Sequence, residues 1–156
     1  VVVIESLQGA GIYAGSFVVA VISGIVPVVN AELYLIGVVL ALGRTSEALV
    51  LAVIVALGQM ISKATLYQAA LGATCVGRRK SAKLDAKITR AREYAERWKT
   101  KPLSVTFVSA TAGLPPLYLV SLVAGLLGVR FRAFVAVGFA GRTLRFATIA
   151  VIAAQV

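Results

Sequence analysis

The chain has 156 residues, of which 60% are hydrophobic and only 14% charged, with a mean hydropathy of +0.94. A soluble domain of this size has too much surface for that balance, so the composition argues for an integral membrane protein. The net charge of +10, with no histidine and one cysteine, excludes an internal disulfide and leaves no credible transition-metal cluster.

Other chemistry is equally thin. There is no GxSxG, no phosphate-loop lysine motif and no dinucleotide fingerprint, so neither an enzyme nor a cofactor is expected. The sequence opens at Val1 rather than a methionine and ends in apolar residues, which is consistent with missing terminal segments. The start has no charged region followed by a short apolar stretch and a small-residue cleavage site.

Five apolar pieces follow in chain order, roughly 10–26, 31–42, 47–76, 103–127 and 131–155. A bilayer core of about 30 Å needs about 20 helical residues. The third and fifth pieces are long enough to span. The first two lie on either side of "PVVN", Pro27 to Asn30, and each is too short to span comfortably.

Between the third and fourth pieces, Arg78 to Lys101 holds ten Lys/Arg against Asp85, Glu93 and Glu96, a charge of +7 (10 − 3). Nucleic-acid binding is one reading of such a run, but its position between hydrophobic segments marks it as a cytoplasmic loop, so no nucleic-acid partner is expected. Within it Leu84, Ile88, Ala91, Ala95 and Trp98 recur at steps of 4, 3, 4 and 3, a helical stripe. This predicts a basic amphipathic helix over 78–101 on the inner membrane surface, with Trp98, Lys87 and Arg90 at the lipid boundary. A solvated charged loop is the simpler alternative.

The fourth piece is interrupted by Pro115 and Pro116 in "GLPPLYLVSLVAGLLGVRF". Two prolines break a helix and push the preceding residue out of helical geometry, leaving legs that reach only halfway through a membrane. The simplest structure is a hairpin that enters, turns at mid-depth and leaves on the same side. Non-helical backbone at that depth needs protein or a watery cavity around it. The turns at Pro27, Asn30, Pro115 and Pro116 therefore mark a site, and they are expected to face each other.

A self-comparison extends this reading. "LYL" occurs at 33–35 and at 117–119, and "GQMISKAT" from Gly58 aligns with "GRTLRFAT" from Gly141. The separations, 58 − 33 = 25 and 141 − 117 = 24, differ by one residue. The predicted fold is thus all-α: two inverted repeats, about 10–76 and 103–155, in one membrane domain over 1–156. Each repeat is a re-entrant hairpin plus a spanning helix, and the basic helix joins them. With Arg78–Lys101 cytoplasmic, loop 43–46 lies outside, and Arg130 and Arg132 return to the cytoplasmic face. One kinked spanning helix in place of the second hairpin is the alternative.

Four ionisable residues interrupt the apolar pieces: Glu32, Lys63, Arg142 and Arg145. A charge at the centre of a membrane helix costs about 2.5–3.5 kcal/mol on insertion scales. Lys63 shares a helix face with Gln59, Ser62 and Tyr67, and Arg142 and Arg145 share one with Gly138 and Thr148. One reading is structural: Glu32 pairs with a basic residue to hold the bundle, or the arginines reach an interface. The other is a cavity with excess positive charge, suited to a phosphate headgroup because arginine donates a fork of hydrogen bonds. Glu32 then binds a proton.

"GLPPLYLVSLVAGLL" followed by "FVAVGFAGRTLRFATIA", with "VPVVNAELYLIG" earlier, resembles the VTT-domain, or DedA, superfamily of membrane proteins, also described as SNARE-associated. The resemblance covers roughly residues 24–154. It implies opposed re-entrant hairpins and translocation of phosphate-bearing lipids, either undecaprenyl phosphate recycling in bacteria or phospholipid scrambling in eukaryotic relatives, with a proton gradient used by some members. On this resemblance Glu32 matches the acid of the first hairpin, and Arg142 and Arg145 match the basic pair after the second. The chain departs from the bacterial pattern at "VSATAG", 108–113, where arginine is often found. That departure weighs against undecaprenyl phosphate specifically.

The expected function is a flippase-like or scramblase-like transporter of an anionic lipid in the bacterial inner membrane, its partners being the bilayer and anionic lipid headgroups. A homo-oligomer or a larger membrane complex is compatible with this. Two other functions stay open: a non-transporting membrane scaffold or small subunit, and proton-coupled efflux of a small molecule.

Overall fold

The computed structural model describes residues 2–26, 30–42, 45–76, 89, 93, 96 and 101–155, without the side chains of 2–9, 45 and 74–76. All secondary structure among the described residues is helical. The helices are α1 (Val2–Ile25), α2 (Ala31–Leu42), α3 (Thr45–Val76), α4 (Pro102–Ala112), α5 (Leu117–Leu126) and α6 (Phe131–Ala153). Pro27, Lys87, Arg90 and Trp98 lie outside the described residues, as does most of the basic segment.

Two helices, α3 over Ser46–Ala73 and α6 over Phe131–Ala153, are long and apolar enough to cross a membrane. The core helix of a soluble protein passes the same length test, but it would be buried. Here only 22% of the most apolar stretch of α6 is buried, and 50% of that of α3. What α3 exposes is also apolar: Leu49, Val50, Val53, Leu57 and Ile61 form an outward stripe, where a soluble helix would show polar residues. Val18, Ile22 and Ile25 make a similar stripe on α1. These features suggest a membrane protein.

Helix α1 differs from expectation. It runs 24 residues, longer than the apolar piece, because Glu5 and Gln8 lower hydropathy without lowering helix propensity. Helix α2 occupies the expected span, and Asn30 caps it: Asn30 Oδ1 accepts the Glu32 N–H at 2.9 Å, as N-cap side chains do.

The fourth piece is two helices rather than one kinked helix. Helix α4 starts at Pro102, which tolerates the first helical position because its missing N–H has no partner to lose there. It ends at Gly113, whose φ of 81° needs a residue without a side chain, and the Gly113 N–H bonds the Ser109 carbonyl. The Leu114–Pro115 bond is cis, and Pro116 caps α5. Ser109 Oγ donates to the Pro115 carbonyl inside the turn. Helices α4 and α5 then pack together, Ala110 meeting Leu117 and Val120, with Val105 alongside. At 11 and 10 residues, each is about 15–17 Å long.

The chain divides into two compact units, Val1–Ser62 with Arg142–Val156, and Lys63–Gly141. In the first, α1 and α3 approach closely. A Cβ on Gly58 would lie 2.8 Å from Ala20 Cβ and 2.9 Å from the Phe17 carbonyl, and one on Gly24 would meet Ser62 Cβ at 2.5 Å. Small residues at such a seam let helix backbones pack where no aqueous hydrophobic effect drives them together. In the second unit, Tyr67 stacks on Phe134 at 5.2 Å, lies 5.3 Å from Phe131, and donates its OH to the Val129 carbonyl. Arg130 and Arg132, near the start of α6, are exposed.

Candidate functional site

The first unit brings three of the four ionisable candidates together. Glu32 is in the first turn of α2, and Arg142 and Arg145 are one turn apart on α6. Arg145 reaches across with two nitrogens: Nε donates to Glu32 Oε1 at 2.7 Å, and Nη2 lies 2.7 Å from the same oxygen. The Arg145 and Glu32 side chains are 22% and 30% exposed, so this ion pair lies at the edge of the packed interior.

Arg142 is placed differently. Its charged neighbours are Arg145 and Glu32, and its Cζ lies 5.7 Å from the Phe146 ring centre. A cation over an aromatic face gains about 0.5–2 kcal/mol. Its Nε is buried and has no hydrogen-bond partner, and neither has the neighbouring Thr143 Oγ1. Orphaned buried donors are rare in folded proteins and call for an explanation, a ligand or an ion among them. Two arginines and one glutamate give the cluster a formal charge of +1. With Arg145 engaged by Glu32, that excess belongs to Arg142, whose buried Nε has no acceptor.

Lys63, expected on a polar stripe with Gln59, Ser62 and Tyr67, is buried, as are those three. The stripe exists as a buried helix face, but Lys63 and Tyr67 fall in the second unit and Gln59 and Ser62 in the first. Thr148, expected beside the arginines, is exposed and donates to the Leu144 carbonyl at 2.8 Å. Pro115 and Pro116 form the turn after α4, and Asn30 is a helix cap.

Several uncharged polar residues in the first unit are tied together; Gln59 and Ser62 were expected on the Lys63 face, whereas Ser16, Ser23 and Tyr34 were not singled out from sequence. Gln59 Nε2 donates to Ser23 Oγ at 2.7 Å, and Ser23 Oγ donates to the Ala20 carbonyl at 2.9 Å. Ser62 Oγ donates to the Val21 carbonyl at 2.6 Å, and Ser16 shares a 3.1 Å hydrogen bond with Tyr34 OH. These bonds tie α1 to α3 and α2, and they satisfy the hydroxyls of Ser16, Ser23 and Ser62. Serines spaced three, four or seven apart in apolar helices are the sequence signal for such seams.

No protein-family model, curated protein or solved structure matches the chain.

Proposed function

We propose that the protein is a membrane transporter that moves an anionic, phosphate-bearing lipid between leaflets, with Arg142 and Arg145 receiving the phosphate. The observation that carries this reading is the buried, unpartnered Arg142 Nε beside a closed Glu32–Arg145 pair on a helix long enough to span. A charged group within a bilayer is costly, and those that persist usually mark a substrate or proton path. Phosphate answers the geometry, because it can accept from Arg142 and compete with Glu32 for Arg145. A proton on Glu32 would weaken that pair and free Arg145, which makes Glu32 the candidate carrier in a proton-coupled cycle. No covalent chemistry is involved, and the reading is of a transporter rather than an enzyme.

The proposal includes the finer architecture. The helices α4 and α5, each half a bilayer thickness in length, are read as a re-entrant hairpin; α2, of 12 residues, is read as one leg of an inverted counterpart whose other leg, α1, is longer at 24 residues. This is the arrangement of the VTT-domain, or DedA, superfamily, to which we assign the chain on the residues quoted above. The basic segment then faces the cytoplasm of a bacterial inner membrane. Thr89, Glu93 and Glu96, all helical and exposed, fall at helical spacing on the side opposite Ile88, Ala91, Ala95 and Trp98, which supports an amphipathic helix there.

The Glu32–Arg145 pair favours a second reading, a non-transporting scaffold in which the charges hold helices together. Arg142 argues against it, since a scaffold gains nothing from an unpaired buried donor.

Leaflet exchange of a labelled phosphatidic acid in reconstituted vesicles separates the two. Transport predicts exchange above that of empty vesicles, abolished in the Arg142→Ala/Arg145→Ala double variant. A double variant as fast as wild type, or a wild type no faster than empty vesicles, leaves the scaffold.

A further inference from the structure

In the first unit a cavity of about 340 Å³ is lined by Ile36, Leu40, Ile149, Ile152 and Ala153, every one of them apolar. Its position relative to the charged cluster follows from helix geometry. On α2, Glu32, Ile36 and Leu40 are spaced by four, one turn apart along one face. On α6, Arg142, Arg145, Ile149, Ile152 and Ala153 also fall on one face, within an arc of about 100°. Glu32 meets Arg145 at one end, and Leu40 and Ile152 line the cavity with Ala153 at the other. The two helices therefore run side by side in the same direction. The apolar groove starts at Ile36, one turn beyond the ion pair, and reaches Leu40, about 12 Å along the helix from Glu32. Its far end opens outward, Leu40 and Ile152 being exposed.

We propose that this groove holds a hydrocarbon chain of the phosphate lipid whose headgroup docks at Arg142 and Arg145. The inference rests on the transport reading and adds that the ligand is recognised as an amphiphile, not as a free anion. Cavities of this size, upward of about 300 Å³, fall in the range of small-molecule sites. An almost wholly apolar wall gains most from an alkyl chain. Any bilayer lipid can offer a chain. The excess positive charge beyond the Ile36 end is what selects an anionic headgroup, so the occupant combines a phosphate and a chain in one molecule.

The test uses vesicles of phosphatidylcholine containing the protein and a trace of photoreactive lipid with a diazirine in its acyl chain, as phosphatidic acid or as phosphatidylcholine. Cross-linked peptides are then mapped. The expected result is labelling of the peptides holding Ile36–Leu40 and Ile149–Ala153, stronger for the phosphatidic acid probe by about tenfold. Unlabelled phosphatidic acid should displace it, and inorganic phosphate should not. Ile149→Trp, which fills the groove, should remove the labelling, while Leu144→Trp on an exposed face should leave it. If Ile149→Trp does not fold, Ala153→Phe blocks the other end and carries the same expectation.

Equal labelling by both probes, displacement by inorganic phosphate as effective as by lipid, or labelling unchanged in the groove-filling variant each overturns the inference. Leaflet exchange is read in the same vesicles. Exchange that needs the arginines while labelling ignores the headgroup refutes the groove and spares the transport reading. Headgroup-selective labelling without exchange does the reverse.

Discussion

Arg142 and Arg145 are three residues apart on one helix, yet their removal should affect folding in different ways. Arg145 is engaged at 2.7 Å by Glu32, so Arg145→Met leaves a carboxylate without its partner. In a partly exposed pair this should lower unfolding stability by about 1–3 kcal/mol. Arg142 has no such partner for its buried Nε. Arg142→Met removes an orphaned donor, keeps most of the volume and replaces the cation–ring contact with Phe146 by a sulfur–aromatic one, so stability should stay level or rise. Chemical unfolding in detergent micelles distinguishes the two; equal losses would mean that Arg142 is held by a bond the structure lacks. Glu32 was legible in the sequence as a residue needing a partner, but which arginine it meets was not. The two residues are 113 positions apart in the chain, and one turn of α6 separates the two candidates.

At the scale of the elements, the seam between α1 and α3 and the turn between α4 and α5 invite separate tests. Gly58→Val would drive a side chain into Ala20 and the Phe17 carbonyl. Overpacking of this kind costs about 1–3 kcal/mol, and the same substitution at Gly37, where a Cβ meets nothing within 4 Å, should be nearly silent. A Gly58→Val protein as stable as wild type would mean that the seam gives way freely. Ser109→Ala removes the hydroxyl that bonds the Pro115 carbonyl in the turn and should cost about 1 kcal/mol. An unchanged unfolding midpoint would show that the turn stands without it. That turn was the most legible feature of the sequence, because two adjacent prolines forbid a continuous helix whatever surrounds them. The start of α1 was the least legible. Hydropathy registers where a helix is apolar, and α1 carries Glu5 and Gln8 in its first two turns. The Gln59–Ser23 and Ser16–Tyr34 contacts were hidden for a different reason: a serine in an apolar helix reads as a small residue until its partner is known.

For the whole molecule, the apolar stripes on α1 and α3 and the low burial of α6 point the surface toward lipid, and the proposed orientation is argued from the uneven charge. In a Cys75→Ser background, Thr45→Cys should react with an impermeant thiol reagent added to intact cells. Labelling only after the inner face is opened would reverse the assigned topology. The central claim, however, is that a fixed positive charge with an unpartnered donor serves an anionic lipid and not the fold. Arg142→Met addresses it with one change, since it should preserve folding while removing the headgroup site. The decisive measurement is leaflet exchange of labelled phosphatidic acid by the wild type and Arg142→Met at matched, folded protein content. The account predicts exchange slowed about tenfold or more in a variant at least as stable as wild type. Exchange at the wild-type rate in folded Arg142→Met protein would contradict it.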